Sequence, residues 1–263
     1  VLKAYADQWA LVTGASSGIG AEFAHQLGGR GMHLVLVARR EHRLRDLADE
    51  LHRAHGTKCK IIAADLSRDG EPSRVVREVR EAGLTIELLV NNAGFGLVAE
   101  LEKIDVDRCL EMLHVNVCAL TELTLRYLPE MMERGSGGVI NVGSVAGFQP
   151  VAYMGVYAAT KAYVLHFSEA LWAEARLRGI TVTTLCPGTT RTEFFDVSGV
   201  PGWADRTRSQ DVKSVVRSGL KAFEKGHSYV IPGWRNYFLS LLVRLATRAT
   251  VVKGSMAYFR PKK

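Results

Sequence analysis

The chain has 263 residues, 47% of them apolar and 23% charged, with a formal net charge of +7. This is a globular profile, long enough to bury a sizeable core, and chains of this length commonly fold as one domain. The basic surplus shows no stripe with interleaved aromatics, which argues against nucleic acid as a partner and fits an enzyme that binds an anionic cofactor.

In chain order, short β-branched runs alternate with longer helical stretches. Strands are expected at Trp9–Thr13, Met32–Ala38, Lys58–Ala64, Leu88–Asn91, Val139–Gly143, Thr181–Cys186 and Ser228–Ile231. They read as near-continuous apolar runs, the form of parallel strands covered on both faces. Helices are expected over 19–29, 41–55, 72–82, 107–134, 156–178 and 211–224, with a basic amphipathic helical tail over 234–263. The alternation specifies a doubly wound α/β sheet with right-handed crossovers. No repeat or linker divides the chain, so one domain over 1–263 is the expectation.

Four cysteines, Cys59, Cys109, Cys118 and Cys186, form no CxxC pair and suit neither a zinc cage nor a disulfide framework. Their apolar contexts predict buried, reduced thiols and a cytoplasmic protein. The opening VLKAYADQ lacks the apolar stretch of a signal peptide, and no run of eighteen apolar residues predicts a spanning helix.

The first strand runs into TGASSGIG (13–20) and then a helix. Gly14, Gly18 and Gly20 follow a G-x3-G-x-G spacing that allows a tight turn and close backbone approach, with the helix N-terminus facing a pyrophosphate. Ser16 and Ser17 add hydroxyl donors. After the second strand, where an NAD-selective site carries an acidic residue, stands Ala38 followed by Arg39 and Arg40. Guanidinium can fork onto a 2′-phosphate, so NADP(H) is expected in preference to NAD(H). The alternative is that both arginines cap a helix and face solvent.

Tyr157 and Lys161, in YAATK, lie one helical turn apart and project from one face. The spacing lets a lysine ammonium pull down a phenol that otherwise titrates near pH 10, making it a usable proton donor. Tyr153 has no such partner, because residue 157 is itself a tyrosine. Ser144 ends the apolar strand VINVGS, where open α/β sheets place ligands, and Asn116 is a polar side chain among apolar neighbours that needs a partner.

Together, TGASSGIG, Asp65-Leu66, NNAG (91–94), Asn116, Ser144, YAATK and PGTTRT (187–192) resemble the short-chain dehydrogenase/reductase family in its compact subclass, from about Trp9 to Ile231. The resemblance implies a Rossmann-like sheet of about seven strands in the order 3-2-1-4-5-6-7. It implies cofactor contacts from Gly14, Ser16, Ser17, Gly18, Ile19 and Gly20, with Arg39 and Arg40 beyond them. Asp65 and Leu66 would flank the adenine, Asn91 would brace the central strand, and Asn92, Ala93 and Gly94 would pass beside the ribose. Pro187, Gly188 and Thr190 would orient the nicotinamide, with Thr192 on its phosphate side. Asn116, Ser144, Tyr157 and Lys161 match the catalytic four, Tyr157 and Lys161 also meeting the cofactor. Asn116 would link to the lysine through a water.

Phe148, Met154, Phe194, Phe195 and Trp203 are candidates for an apolar substrate wall, or for core packing, and Gly199, Pro201 and Gly202 suggest a mobile lid. The long helices at 107–134 and 156–178 carry surplus apolar faces, which in the family pair into dimers or tetramers. The tail fits a subunit interface, a cover over the substrate entrance or a peripheral membrane contact, the last not favoured. The functional expectation is an NADPH-dependent reductase of a lipophilic carbonyl, or the reverse alcohol dehydrogenase. A 3-oxoacyl reductase or hydroxysteroid dehydrogenase is the nearest alternative. A non-enzymatic NADP(H) sensor is the alternative of another class, though such proteins typically lose the tyrosine or lysine kept here.

Overall fold

The computed structural model describes residues 5–260. Seven strands form it: β1 Trp9–Thr13, β2 His33–Ala38, β3 Cys59–Ala63, β4 Ile86–Asn91, β5 Gly138–Val142, β6 Thr181–Leu185 and β7 Tyr229–Val230. They make one sheet in the order β3-β2-β1-β4-β5-β6-β7, and each recorded neighbour pair is parallel. The family's topology is therefore present. β7 is shorter than the expected Ser228–Ile231.

Alternate side chains of each strand supply two separate cores, as period-two geometry requires. Ala10, Val12, Leu34 and Leu36 pack with Phe23 and Leu27 of α1 (Gly18–Gly28), Leu44 and Leu51 of α2 (Glu41–His55), and a later helix carrying Val216 and Phe223. Leu11, Val35, Val37 and Leu89 face the other way, onto Val75 and Val79 of α3 (Glu71–Glu81) and onto Leu123 and Met131. A strand covered on both faces has no polar side, which is why the sequence reads as uninterrupted apolar runs.

The helix expected over 107–134 has three parts: α4 (Val106–Leu113), a π-helical stretch (His114–Ala119) and α5 (Leu120–Arg134). Asn116 lies inside the π segment. Such bulges insert a residue into the i→i−4 ladder and concentrate at functional sites. Next come α6 (Gly155–Ala175), the short helices α7 (Phe194–Val197) and α8 (Trp203–Arg206), and α9 (Val212–Glu224). The tail is two helices, α10 (Trp234–Leu245) and α11 (Arg248–Phe259), broken at Ala246, with Thr247 capping the second. Among the described residues no helix is long and apolar enough to cross a membrane.

The cysteine expectation needs correction. All four are free, but only Cys186 is buried; Cys59 and Cys109 are half-buried and Cys118 is exposed. Cys118 lies in the π segment and is exposed despite its apolar sequence neighbours.

β1 lies between β2 and β4, so the chain's crossovers leave the sheet in opposite directions on either side of it. A crevice opens there, beyond the carboxyl ends of the strands.

Candidate active site

The crevice is a cleft of about 350 Å³. Its floor is the turn between β1 and α1. Gly14 has φ +65°, and a Cβ there would lie 2.7 Å from Asn92 Nδ2 and 2.9 Å from Ala93 Cα. Gly20 lies just beneath, where a Cβ would collide with the Gly14 carbonyl. Gly14, Ser16, Ser17, Gly18 and Ile19 line the cleft, whereas Gly20 does not; its role is close packing of α1 onto the turn. No side chain caps the N-terminus of α1, leaving its amides and dipole directed at this end of the cleft. A backbone cradle that admits no Cβ, at an uncapped helix start, fits a pyrophosphate.

Arg39 is exposed at the cleft wall, and its charge acts on Asp65. Burial opposes ionisation of Asp65, but hydrogen bonds from the Ser67 hydroxyl and amide, with Arg39 and Arg68 nearby, hold its carboxyl below its usual value. Arg40 reaches inward. It donates to Ser17 Oγ at 2.9 Å and to Ser16 Oγ at 3.2 Å, and its Nη1 pairs with Glu193 at 3.0 Å. Arg43 pairs with the same carboxylate at 2.7 Å. Thus the serine hydroxyls accept from Arg40, and Glu193 is clasped by two guanidinium groups across the cleft. Sequence reading missed Glu193; the only signal was a lone acid directly after the PGTTRT motif.

The opposite wall is the NNAG turn. Asn92 and Ala93 donate their amides to Thr13 Oγ1 at 2.9 and 3.0 Å, while Asn92 Nδ2 donates to the Thr13 carbonyl at 2.9 Å. Asn91 donates to Thr124 and Asn141, both at 2.9 Å, and Asn141 donates to Ser168 at 2.8 Å. That buried network ties β4 and β5 to α5 and α6 and supports the bracing role expected of Asn91. Asn92, Ala93, Gly94, Asp65 and Leu66 all line the cleft, as do Pro187, Gly188, Thr190 and Thr192. Gln210 holds the Gly188 loop through the Gly188 amide at 3.4 Å, and Asn236 donates to the same Gln210 oxygen at 3.0 Å.

Ser144, Tyr157 and Lys161 meet deeper in the cleft, all buried. Ser144 ends the turn after β5, and Tyr157 and Lys161 stand one turn apart on α6. Lys161 Nζ donates to the Val142 carbonyl at 2.8 Å and lies 5.8 Å from the centre of the Tyr157 ring. Burial pushes the Tyr157 phenol up to about 12, partly opposed by a hydrogen bond with Ser144. Burial pulls Lys161 down to about 8. In contrast to the lowering expected from the spacing, burial sets the direction of the phenol's shift, and the Lys161 ammonium is anchored on the Val142 carbonyl.

Asn116 sits behind the cleft and does not line it. Its side chain donates to the Phe95 carbonyl at 2.9 Å and Thr160 Oγ1 at 3.1 Å, and accepts from the Phe95 amide at 3.1 Å. Phe95 and Thr160 thus hold the side chain from both sides.

Met154, Phe194 and Phe195 line the outer cleft, as the sequence led one to expect. Phe148 and Trp203 do not. Phe148 belongs to a one-turn 3₁₀ segment (Val145–Phe148) and packs on Tyr229, ring centres 5.7 Å apart. Trp203 stands behind Phe195, stacked on Phe259 at 5.6 Å. Phe259 of α11 supplies cleft surface instead.

The short chain dehydrogenase family profile matches residues 8–199. The chain belongs to the short-chain dehydrogenase family. A very-long-chain 3-oxoacyl-CoA reductase from Anas platyrhynchos is 33% identical over 236 residues, 86% of this chain and 74% of that one. A short-chain dehydrogenase from Sphingobium yanoikuyae, solved in complex with NADPH, superposes with TM-score 0.82 at 32% identity, covering 97% and 98% of the two chains. A bulky-bulky ketone specific alcohol dehydrogenase from Comamonas testosteroni gives TM-score 0.78 at 31% identity, covering 90% and 92%.

In this short-chain dehydrogenase, then, a buried hydrogen-bonded phenol and hydroxyl face an apolar outer cleft, while a glycine cradle and basic wall occupy the inner end. The arrangement can hold an anionic dinucleotide and present a carbonyl to a proton donor.

Proposed function

We propose that the protein is an NADP(H)-dependent reductase of a lipophilic carbonyl, or equally the dehydrogenase of the corresponding alcohol. The observation that carries this is the buried Ser144–Tyr157–Lys161 group at the junction of the glycine cradle with the apolar wall. NADPH, when bound, supplies the hydride. Gly14, Gly18 and Ile19, with the start of α1, would hold its pyrophosphate; Arg39 and Arg40 would hold the 2′-phosphate; Asp65 and Leu66 would flank the adenine.

Ser144 donates a hydrogen bond to the substrate oxygen, fixing it beside Tyr157. The Tyr157 hydroxyl gives its proton to that oxygen as the carbonyl becomes an alcohol, leaving a phenolate that Lys161 stabilises electrostatically. With its pKa near 8, Lys161 is a competent acid to return the proton. Asn116 positions these groups by joining the Phe95 backbone to Thr160, three residues from Tyr157. Met154, Phe194, Phe195 and Phe259 exclude water and receive an apolar substrate body.

The name of the Anas relative favours a 3-oxoacyl thioester as one such substrate, and the cleft's aromatic mouth also suits a steroid-like ketone. The exposed Leu125 on α5 and Tyr163 on α6 favour pairing of these helices between two copies, which sedimentation velocity would reveal. The test of function is NADPH oxidation over a panel of 3-oxoacyl thioesters, steroid ketones, bulky aryl ketones and small polar ketones. Turnover confined to the lipophilic members is expected. Tight NADPH binding with no turnover on any member would favour the sensor reading.

A further inference from the structure

The first tail helix, α10, is apolar on the wrong side, and α11 adds exposed Val252 and Met256. In a helix packed on a globular core, large apolar residues face inward and polar ones outward. In α10 and α11 the buried residues are Ser240 and Ser255, 7% and 8% exposed. The large side chains point away: Trp234 is 67% exposed, Phe238 56%, Leu242 57% and Leu245 86%. Their spacing, i, i+4, i+8 and i+11, puts them on one face of α10. Among the described residues, nine of sixteen exposed large apolar side chains fall between Trp234 and Tyr258, so this surface is a concentrated patch rather than ordinary scatter.

Charge is polarised to the same segment. Seven of the 34 Lys and Arg lie in the tail, residues 234–263, and none of the 27 Asp and Glu does. The first 233 residues are therefore balanced, at 27 basic against 27 acidic, and the tail carries +7. The protein's whole basic surplus belongs to the tail. Arg235, Arg244, Arg248 and Lys253 are exposed.

We propose that α10 and α11 form a docking surface for an anionic lipid bilayer, lying in the interface with their aromatic and leucine face among the headgroups. An exposed aromatic-leucine face combined with unbalanced lysine and arginine is the composition of an interfacial helix. A second copy of this chain is disfavoured as occupant. A two-fold contact would set Arg235, Arg244, Arg248 and Lys253 against their copies, with no Asp or Glu in α10 or α11 to relieve them. The surface is tied to the rest of the protein. Ser255 Oγ accepts from the Ala152 amide at 3.0 Å, and Tyr258 and Phe259 pack on Trp203 of the segment over the cleft. Docking would therefore hold the cleft mouth near the lipid–water boundary. The proposal does not depend on the reading of the chemistry.

The test is co-sedimentation of the full chain with vesicles of equal parts phosphatidylcholine and phosphatidylserine, and with vesicles of phosphatidylcholine alone. Pelleting with the anionic vesicles, reversed by high salt and absent with the neutral ones, is expected. A Trp234→Ser/Phe238→Ser/Leu242→Ser variant should remain in the supernatant while melting and binding NADPH as the parent does. Should that variant fold poorly, Arg244→Gln and Arg248→Gln, both at exposed positions, should each weaken partitioning about fivefold. A parent protein that stays in the supernatant overturns the proposal, including when sedimentation velocity shows copies associating through this face. Equal pelleting with neutral vesicles, or undiminished pelleting of the variants, overturns it as well.

Discussion

Asn116 grips Phe95 by both of its backbone groups, accepting from the amide at 3.1 Å and donating to the carbonyl at 2.9 Å. Its second amide hydrogen goes to Thr160 on α6. One side chain thus fixes the NNAG turn against the helix that carries Tyr157 and Lys161. Replacing it by leucine leaves the Phe95 amide and carbonyl buried without their partner, at about 1–3 kcal/mol for each unsatisfied group. Asn116→Leu should lower the urea midpoint by a matching amount and reduce kcat more than it raises KM. An unchanged midpoint would count against the clamp.

That clamp marks the boundary of what was legible beforehand. In the sequence Asn116 reads as a polar residue in need of partners, because apolar neighbours such as Val115 and Val117 imply burial. Its partners were not legible, since Phe95 and Thr160 carry no local signal and meet it only through the π segment. The sheet was readable almost throughout, because strands buried on both faces leave unbroken apolar runs. The helical tail was readable too, but not its break at Ala246 or the outward turn of the apolar face of α10, because a sequence shows spacing without showing which side faces the core. Likewise Phe148 and Trp203 looked like cleft residues, but which way an aromatic points depends on the turn it sits on.

Adding a methyl group at Gly14 should be severe. The residue has a positive φ, and its Cβ would meet Asn92 Nδ2 at 2.7 Å and the Ala93 backbone at 2.9 Å. Gly14→Ala is expected to cost about 1–3 kcal/mol in stability and to abolish measurable NADPH binding by fluorescence titration. Wild-type affinity would show that the turn can open without consequence.

Glu193 places a carboxylate among the cationic groups assigned to the cofactor. Hydrogen bonds from Arg43 hold it below the usual carboxylate range, with Arg40 adding to the effect, so it is an anion at neutral pH. A phosphate must compete with it for Arg40. Glu193→Gln should therefore tighten NADPH binding by up to about fivefold, the scale of one exposed charge interaction, with a smaller change for NADH. Arg39→Asp should act oppositely and shift preference toward NADH. Unaltered NADPH-to-NADH affinity ratios in both variants would contradict the 2′-phosphate assignment.

Lys161 should give the protein a pH-dependent cofactor affinity. Burial lowers its pKa from 10.5 to about 8, so the ammonium is present below pH 8 and lost above it. An anionic cofactor favours the protonated form, so binding takes up a proton at higher pH. NADPH affinity should be flat below pH 7 and fall above pH 8, at most about tenfold per unit. Isothermal titration in buffers of differing ionisation enthalpy would register the proton uptake. The Lys161→Met profile should be flat across this range, and a parent-like fall in that variant would assign the titration to another group.

The account stands most directly on Tyr157 as proton donor. Pre-steady-state mixing of NADPH-loaded Tyr157→Phe with a carbonyl substrate isolates that step from binding. The predicted result is NADPH affinity within about twofold of the parent and a single-turnover rate lower by about 10²-fold or more, the usual scale of lost general acid catalysis. A single-turnover rate equal to that of the parent would contradict it.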